Sequence, residues 1–122
     1  MAAAIILAAL LGLAFWMLRP EPLPDLLGNL PVRRNPAEWN HVSRLMTDQL
    51  RRKLPLDSME EATVEALRSQ GFKAVGSGKD NNRRFLFERQ DFPCVERFIV
   101  QLTFDDAHRL QDVLGHYRPV CL

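Results

Sequence analysis

Hydrophobic residues are arranged along this chain in three successive patterns. Ala2 to Leu18 (AAAIILAALLGLAFWML) is an unbroken apolar run without a charge. Seventeen residues at helical rise extend about 26 Å, close to the thickness of a hydrocarbon core. Next, RPEPLPDLLGNLPVRRN (residues 19–35) scatters Leu23, Leu26, Leu27 and Leu30 among four prolines. That proline density excludes a regular helix and favours an extended spacer, whose leucines are free to dock on a partner or on the domain itself. From residue 36 onward the periodicity is that of a folded domain.

Asn35-Pro36 suits a helix start, with Asn as N-cap and Pro in the first turn. Trp39, Val42, Met46 and Leu50 follow at helical spacing, widened by Leu45 and Leu54, and predict a helix to about Lys53. Its last turn, Arg51-Arg52-Lys53, complements the negative helix terminus. Leu54-Pro55-Leu56 breaks the helix. A second is predicted near residues 58–70, with Ser58 and Glu61 in capping-box spacing and Met59, Thr63, Ala66 and Leu67 as its apolar face. Gly71 fits the left-handed position after it and Phe72 the hydrophobic contact that follows.

Beyond Gly71 the period becomes two. Phe72–Val75 predicts a short strand and residues 76–82 (GSGKDNN) a turn-rich loop. This loop lacks the spacing of a phosphate-binding loop, and no helix follows it. Arg83–Arg89, Glu96–Phe104 and a last stretch from about Leu110 to Cys121 predict further strands. Phe85 and Phe87 share one face, as do Phe98, Val100, Leu102 and Phe104.

Register then makes a specific prediction about the two cysteines. If Phe104 faces Gln111 across the Asp105–Arg109 turn, antiparallel pairing brings Leu102 opposite Val113, Val100 opposite Gly115, Phe98 opposite Tyr117 and Cys94 opposite Cys121. Residues so opposed lie within disulfide reach. A bridge closing residues 94–121 contributes roughly 3 to 4 kcal/mol in the chain-entropy account. The same register sets Arg97 opposite Arg118 on the outer face, a like-charge pair.

Sixteen basic residues against fifteen acidic leave a net charge of +1. No general attraction to nucleic acid or anionic lipid follows from that balance. The apolar run has no basic residue before it and no convincing cleavage site, so it reads as an uncleaved anchor, with a cleaved secretory signal as the alternative. Orientation signals conflict. Arg19, Arg33, Arg34 and Arg44 would be cytoplasmic by the positive-inside rule, whereas a disulfide requires an oxidising compartment. The disulfide decides the expectation: inner membrane, single pass, domain in the periplasm.

Candidate chemistry is sparse. His116 alternates onto the face opposite the cysteines, so Cys94, Cys121 and His116 do not assemble a metal or nucleophile site. His41 sits in the first helix and His108 in a turn. Asp105-Asp106 and Glu60-Glu61 occupy positions where acids cap turns and helices. No catalytic residue, cofactor or metal is expected. The outer sheet face is more suggestive, since Arg84, Leu86, Arg97, Ile99, Leu114 and Arg118 give it a mixed apolar and arginine-rich character used for protein partners.

Residues 54–72 (LPLDSMEEATVEALRSQGF), a short turn and then a capped helix ending at glycine, resemble the helix pair of the small envelope proteins of the SmpA/OmlA type, which include BamE, and the related beta-lactamase-inhibitor-like fold. The resemblance covers about residues 36–121 and implies two helices followed by an antiparallel sheet. The chain has neither the lipobox cysteine nor the glycine before the second helix, so the family's assembly role is not implied. RFLFERQDFPC through GHYRPVCL also looks like a type of small proteobacterial envelope protein.

The expectation is an α+β protein: an N-terminal transmembrane helix (residues 1–19), a Pro-rich linker (20–35) and a domain (36–122) of two helices on a three- to four-stranded antiparallel sheet. Its expected function is non-enzymatic, through protein–protein interaction at a membrane. The alternative is a periplasmic small-molecule or inhibitor-type binding domain with an apolar cavity between helices and sheet.

Overall fold

A computed structural model of the chain describes residues 2–17, 22–32, 35–76 and 81–122. Leu18, Arg19, Arg33, Arg34 and the middle of the glycine-rich loop lie outside them. The fold is α+β. Helix α1 (Ala2–Met17) comes first, then a 3-10 turn (Pro36–Glu38) leading into α2 (Trp39–Lys53), and α3 (Glu60–Ser69). Strands β1 (Lys73–Val75), β2 (Asn82–Asp91), β3 (Cys94–Phe104), β4 (Leu110–Tyr117) and β5 (Val120–Cys121) follow. They form one antiparallel sheet in the order β1-β2-β3-β4, with β5 also pairing β3.

The helices start and stop largely for the reasons their sequence offers. The Asn35 side chain accepts from the Ala37 N–H at 3.1 Å, and Gly71 takes φ +91° while the Phe72 N–H donates to the Leu67 carbonyl. The Ser58–Glu61 capping box does not form. Instead Met59 forms an isolated antiparallel bridge with Arg109, and its neighbours bond the same stretch: the Asp57 N–H donates to the Leu110 carbonyl, Leu110 returns its N–H to Ser58, and Glu60 donates to His108. Helix α3 therefore begins at Glu60, Met59 is left exposed, and Val64 joins Thr63 and Leu67 on the buried face.

A single core lies between the helices and one face of the sheet. It contains Val42, Met46, Leu50, Leu67, Phe85, Phe98, Val100, Leu102, Leu110, Val113 and Tyr117, each fully buried. Phe72, Phe87, Phe98 and Tyr117 continue through it as a chain of tilted ring contacts 5.2–6.2 Å between centroids. Leu26 and Leu27 belong to this core too. They are placed by a turn at residues 24–28 that is tied to both helix ends, Lys53 Nζ donating to the Asp25 carbonyl and the Leu26 N–H to Gln70 Oε1 at 2.8 Å. The proline-rich segment thus packs its leucines on the domain, the second of the two roles open to them.

The β3–β4 register holds from Phe98↔Tyr117 to Thr103↔Asp112, and Cys94↔Cys121 continues it across β5. Its starting pair differs from expectation: Phe104 faces Leu110, and Gln111 is an extra residue at a bulge between Thr103 and Phe104. The physical reason is parity. Leu110 and Val113 are three apart and both buried, which strict alternation forbids and one inserted residue permits. Arg118-Pro119 interrupts the last strand, because Pro119 has no N–H to donate.

Helix α1 stands apart. Every residue from Ala2 to Met17 is exposed, Phe15 and Trp16 among them. Among the described residues no helix is long and apolar enough to cross a membrane. The span expected over Ala2–Leu18 is therefore not shown: the described helix has sixteen residues, which rise about 24 Å against a hydrocarbon core of about 30 Å, and Leu18 lies outside the described residues.

Candidate interaction surfaces

Cys94 and Cys121 form a disulfide with their Cα atoms 4.0 Å apart. Cys94 is buried and Cys121 exposed. The bridge fastens the chain's last strand to the start of β3, leaving both sulfurs occupied. The histidines are dispersed: His41 is exposed on α2, His108 Nδ1 lies 2.9 Å from Glu60 Oε2, and His116 is half-buried on β4. Among the described residues no group of three His, Cys, Asp or Glu side chains is arranged to hold a metal. Adjacent acids have local duties. Asp105 Oδ1 accepts from the Ala107 and Arg109 N–H groups, and Glu60 engages Arg83 as well as His108.

The sheet face turned away from the core carries most of the residues singled out for a partner. Cross-strand pairing puts Arg84, Gln101 and Leu114 in one row and Leu86, Ile99 and His116 in the next. Arg97 stands opposite Glu88 on β2, an opposite-charge neighbour that relieves the like-charge pairing expected with Arg118. Arg118 has left the ladder, although its N–H still donates to the Arg97 carbonyl, and its guanidinium donates to the Tyr117 carbonyl at 2.9 Å. Strand parity therefore puts Arg84, Leu86, Arg97, Ile99 and Leu114 on one face, with Arg118 just beyond the end of β4.

Two features escaped the sequence. The first is an ion pair inside the core: Glu96 is fully buried, its Oε2 lies 2.5 Å from both Nε and Nη2 of Arg89, and its Oε1 accepts from the Tyr117 hydroxyl at 3.3 Å. Parity carried a signal for it, because Glu96 falls between Cys94 and Phe98 on the inward face. Pairing Phe87 with Phe98 then puts Arg89 opposite Glu96.

The second is how α2 closes the sheet edge. Thr47 Oγ1 accepts from the Gly115 N–H at 2.8 Å and donates to its carbonyl, while Ser43 Oγ accepts from the Tyr117 N–H at 2.9 Å. These side chains satisfy backbone groups that an edge strand otherwise leaves open. Gly115 permits the approach, since a Cβ there would lie 2.7 Å from Met46 Cγ.

Where α2 meets β4 on the solvent side, an open groove of ≈ 660 Å³ forms. One wall is the helical stripe Asn40, Arg44, Thr47, Asp48 and Arg51; the other is Leu114, His116 and Arg118, with Gly115 between. Spacings of three and four on the helix and two on the strand produce these walls. Arg51 pairs with Asp112 at 3.0 Å. Among the described residues Arg44 and Arg118 have no carboxylate partner within ion-pair distance.

Compared with protein-family models, curated proteins and solved structures, the chain matches none.

Proposed function

We propose that this chain is a non-enzymatic, membrane-anchored envelope protein whose domain binds another protein, as an accessory component of a membrane complex. The observation that carries the proposal is α1, sixteen uncharged residues with every side chain exposed, beside a domain that has filled its own core. A helix apolar on all sides is covered by hydrocarbon; an interfacial helix would need a polar face, and α1 has none. Residues 2–18 are accordingly the membrane contact, at the inner membrane.

Formation of the Cys94–Cys121 bridge supports a periplasmic domain. The resemblance to small envelope proteins enters this proposal for compartment alone. The face bearing Arg84, Leu86, Arg97, Ile99, Leu114 and Arg118 is assigned to a protein partner with acidic and apolar groups, by charge complementarity. Ligand binding between helices and sheet has less support, because Met46, Leu50, Leu67, Phe98 and Leu102 occupy that space.

Two measurements test the proposal. The full chain should stay with membranes through carbonate extraction, and its cysteines should label only after reduction, without permeabilising the inner membrane. A photo-crosslinker at Leu86 or Ile99 should then capture a stoichiometric partner, one at Arg68 on α3 should not. Recovery of an extractable chain, or of an uncrosslinked monomer under mild detergent, refutes the proposal.

A further inference from the structure

We infer that the groove between α2 and β4 binds a phosphate group carried on a small molecule with an apolar stem. The groove is open to solvent and, at ≈ 660 Å³, has room for a small ligand. Three arginines line it, against Asp48 as the single lining carboxylate among the described residues. Arg51 is engaged by Asp112. Arg44 and Arg118 are not ion-paired among the described residues, and Arg118 spends one N–H on the Tyr117 carbonyl. A planar guanidinium fork matches the oxygens of phosphate two at a time, so two such forks on opposite walls specify that group better than two ammonium charges would.

The walls are fixed relative to each other. Ser43 and Thr47 fasten α2 to the β4 backbone beside the groove, and Arg118, just past the end of β4, is held by its N–H to the Arg97 carbonyl. Gly115 contributes no side chain to the floor, and Leu114, still 37% exposed, offers an apolar contact beside the cations. The chain's net charge of +1 creates no long-range field, so recognition rests on short-range contacts within the groove. A phosphate on a lipid headgroup and a phosphate on a free metabolite present the same chemistry here.

The test uses the full isotope-labelled chain in phosphatidylcholine nanodiscs, following the backbone amides of Gly115 and His116 and the guanidinium N–H signals of Arg44 and Arg118. In one arm glycerol 3-phosphate is titrated; in the other, nanodiscs enriched in phosphatidylglycerol replace the zwitterionic ones. Saturable shifts confined to the groove are expected. Response to glycerol 3-phosphate identifies a free phosphate ester as a sufficient ligand, and response only to the enriched nanodiscs identifies a lipid headgroup. The double variant Arg44→Gln/Arg118→Gln should weaken the response about tenfold or more, and His116→Glu should abolish it by adding a carboxylate. Arg68→Gln, which removes one positive charge elsewhere, should leave it intact. Absence of saturable shifts in both arms, or shifts that survive in the double variant or His116→Glu, overturns the inference.

Discussion

Replacing Glu96 with alanine is expected to be among the most damaging single changes in the domain. Glu96 is fully buried, and the Arg89 side chain that it pairs with is 12% exposed, so truncation removes a buried carboxylate from beside a guanidinium at the core's edge. The Tyr117 hydroxyl loses an acceptor at the same time. Breaking a buried pair from one side costs about 3–5 kcal/mol, against a total stability of about 5–15 kcal/mol for a domain. Thermal unfolding of the full chain in detergent micelles, read by near-UV circular dichroism, should show a midpoint lowered by at least about 12 °C. Arg89→Met alone should cost a comparable amount, because it strands the carboxylate instead. The double variant Arg89→Met/Glu96→Leu should be close to wild type, since apolar replacement of a buried ion pair is about neutral or stabilising by about 1–4 kcal/mol. The residues touch, so the two costs should not add. Single variants that each lose less than about 1 kcal/mol, or a double variant as unstable as the sum of both, would refute the idea that this pair is desolvated and coupled.

Further outcomes are expected elsewhere. Gly115→Ala forces Met46 away from β4 and should cost about 1–3 kcal/mol in urea unfolding; unchanged stability would show that α2 can shift freely. Reduction of Cys94–Cys121, which spans a sequence separation of 27, should cost about 3–4 kcal/mol, checked by unfolding with and without reductant. Leu27→Ala should cost about 2–5 kcal/mol, as for other buried leucines, whereas a mere spacer residue would cost almost nothing. Thr47→Val should accelerate hydrogen exchange at the Gly115 amide, because that N–H loses its acceptor; unaltered exchange would mean that the edge is protected by burial alone.

Legibility varied with the range of the interaction involved. Gly71 and Phe72 ended α3 as their sequence predicted, because the contact closes within five residues. The outer-face residues could be grouped because strand parity is a local property. The capping box at Ser58 failed although its spacing was right, since the Ser58 hydroxyl and N–H both turn back to the Pro55 carbonyl. Gln111 as a bulge was foreshadowed by Leu110 and Val113, two apolar residues at a spacing no regular strand can bury. The groove had no sequence signature, because its walls come from α2 and β4, which only packing brings together.

Hydrophobic period, turn chemistry and cysteine position by themselves determined the helices, the meander and the Cys94–Cys121 register. Each depends on dihedral preferences and on which side of an element a residue faces. Tertiary structure alone decided that Leu26 and Leu27 join the core, that Glu96 is buried against Arg89, and that Ser43 and Thr47 close the sheet edge. Hydrogen-bond partners 68 and 74 residues apart are selected by the fit of Met46 over Gly115, a matter of ångströms that no periodicity records.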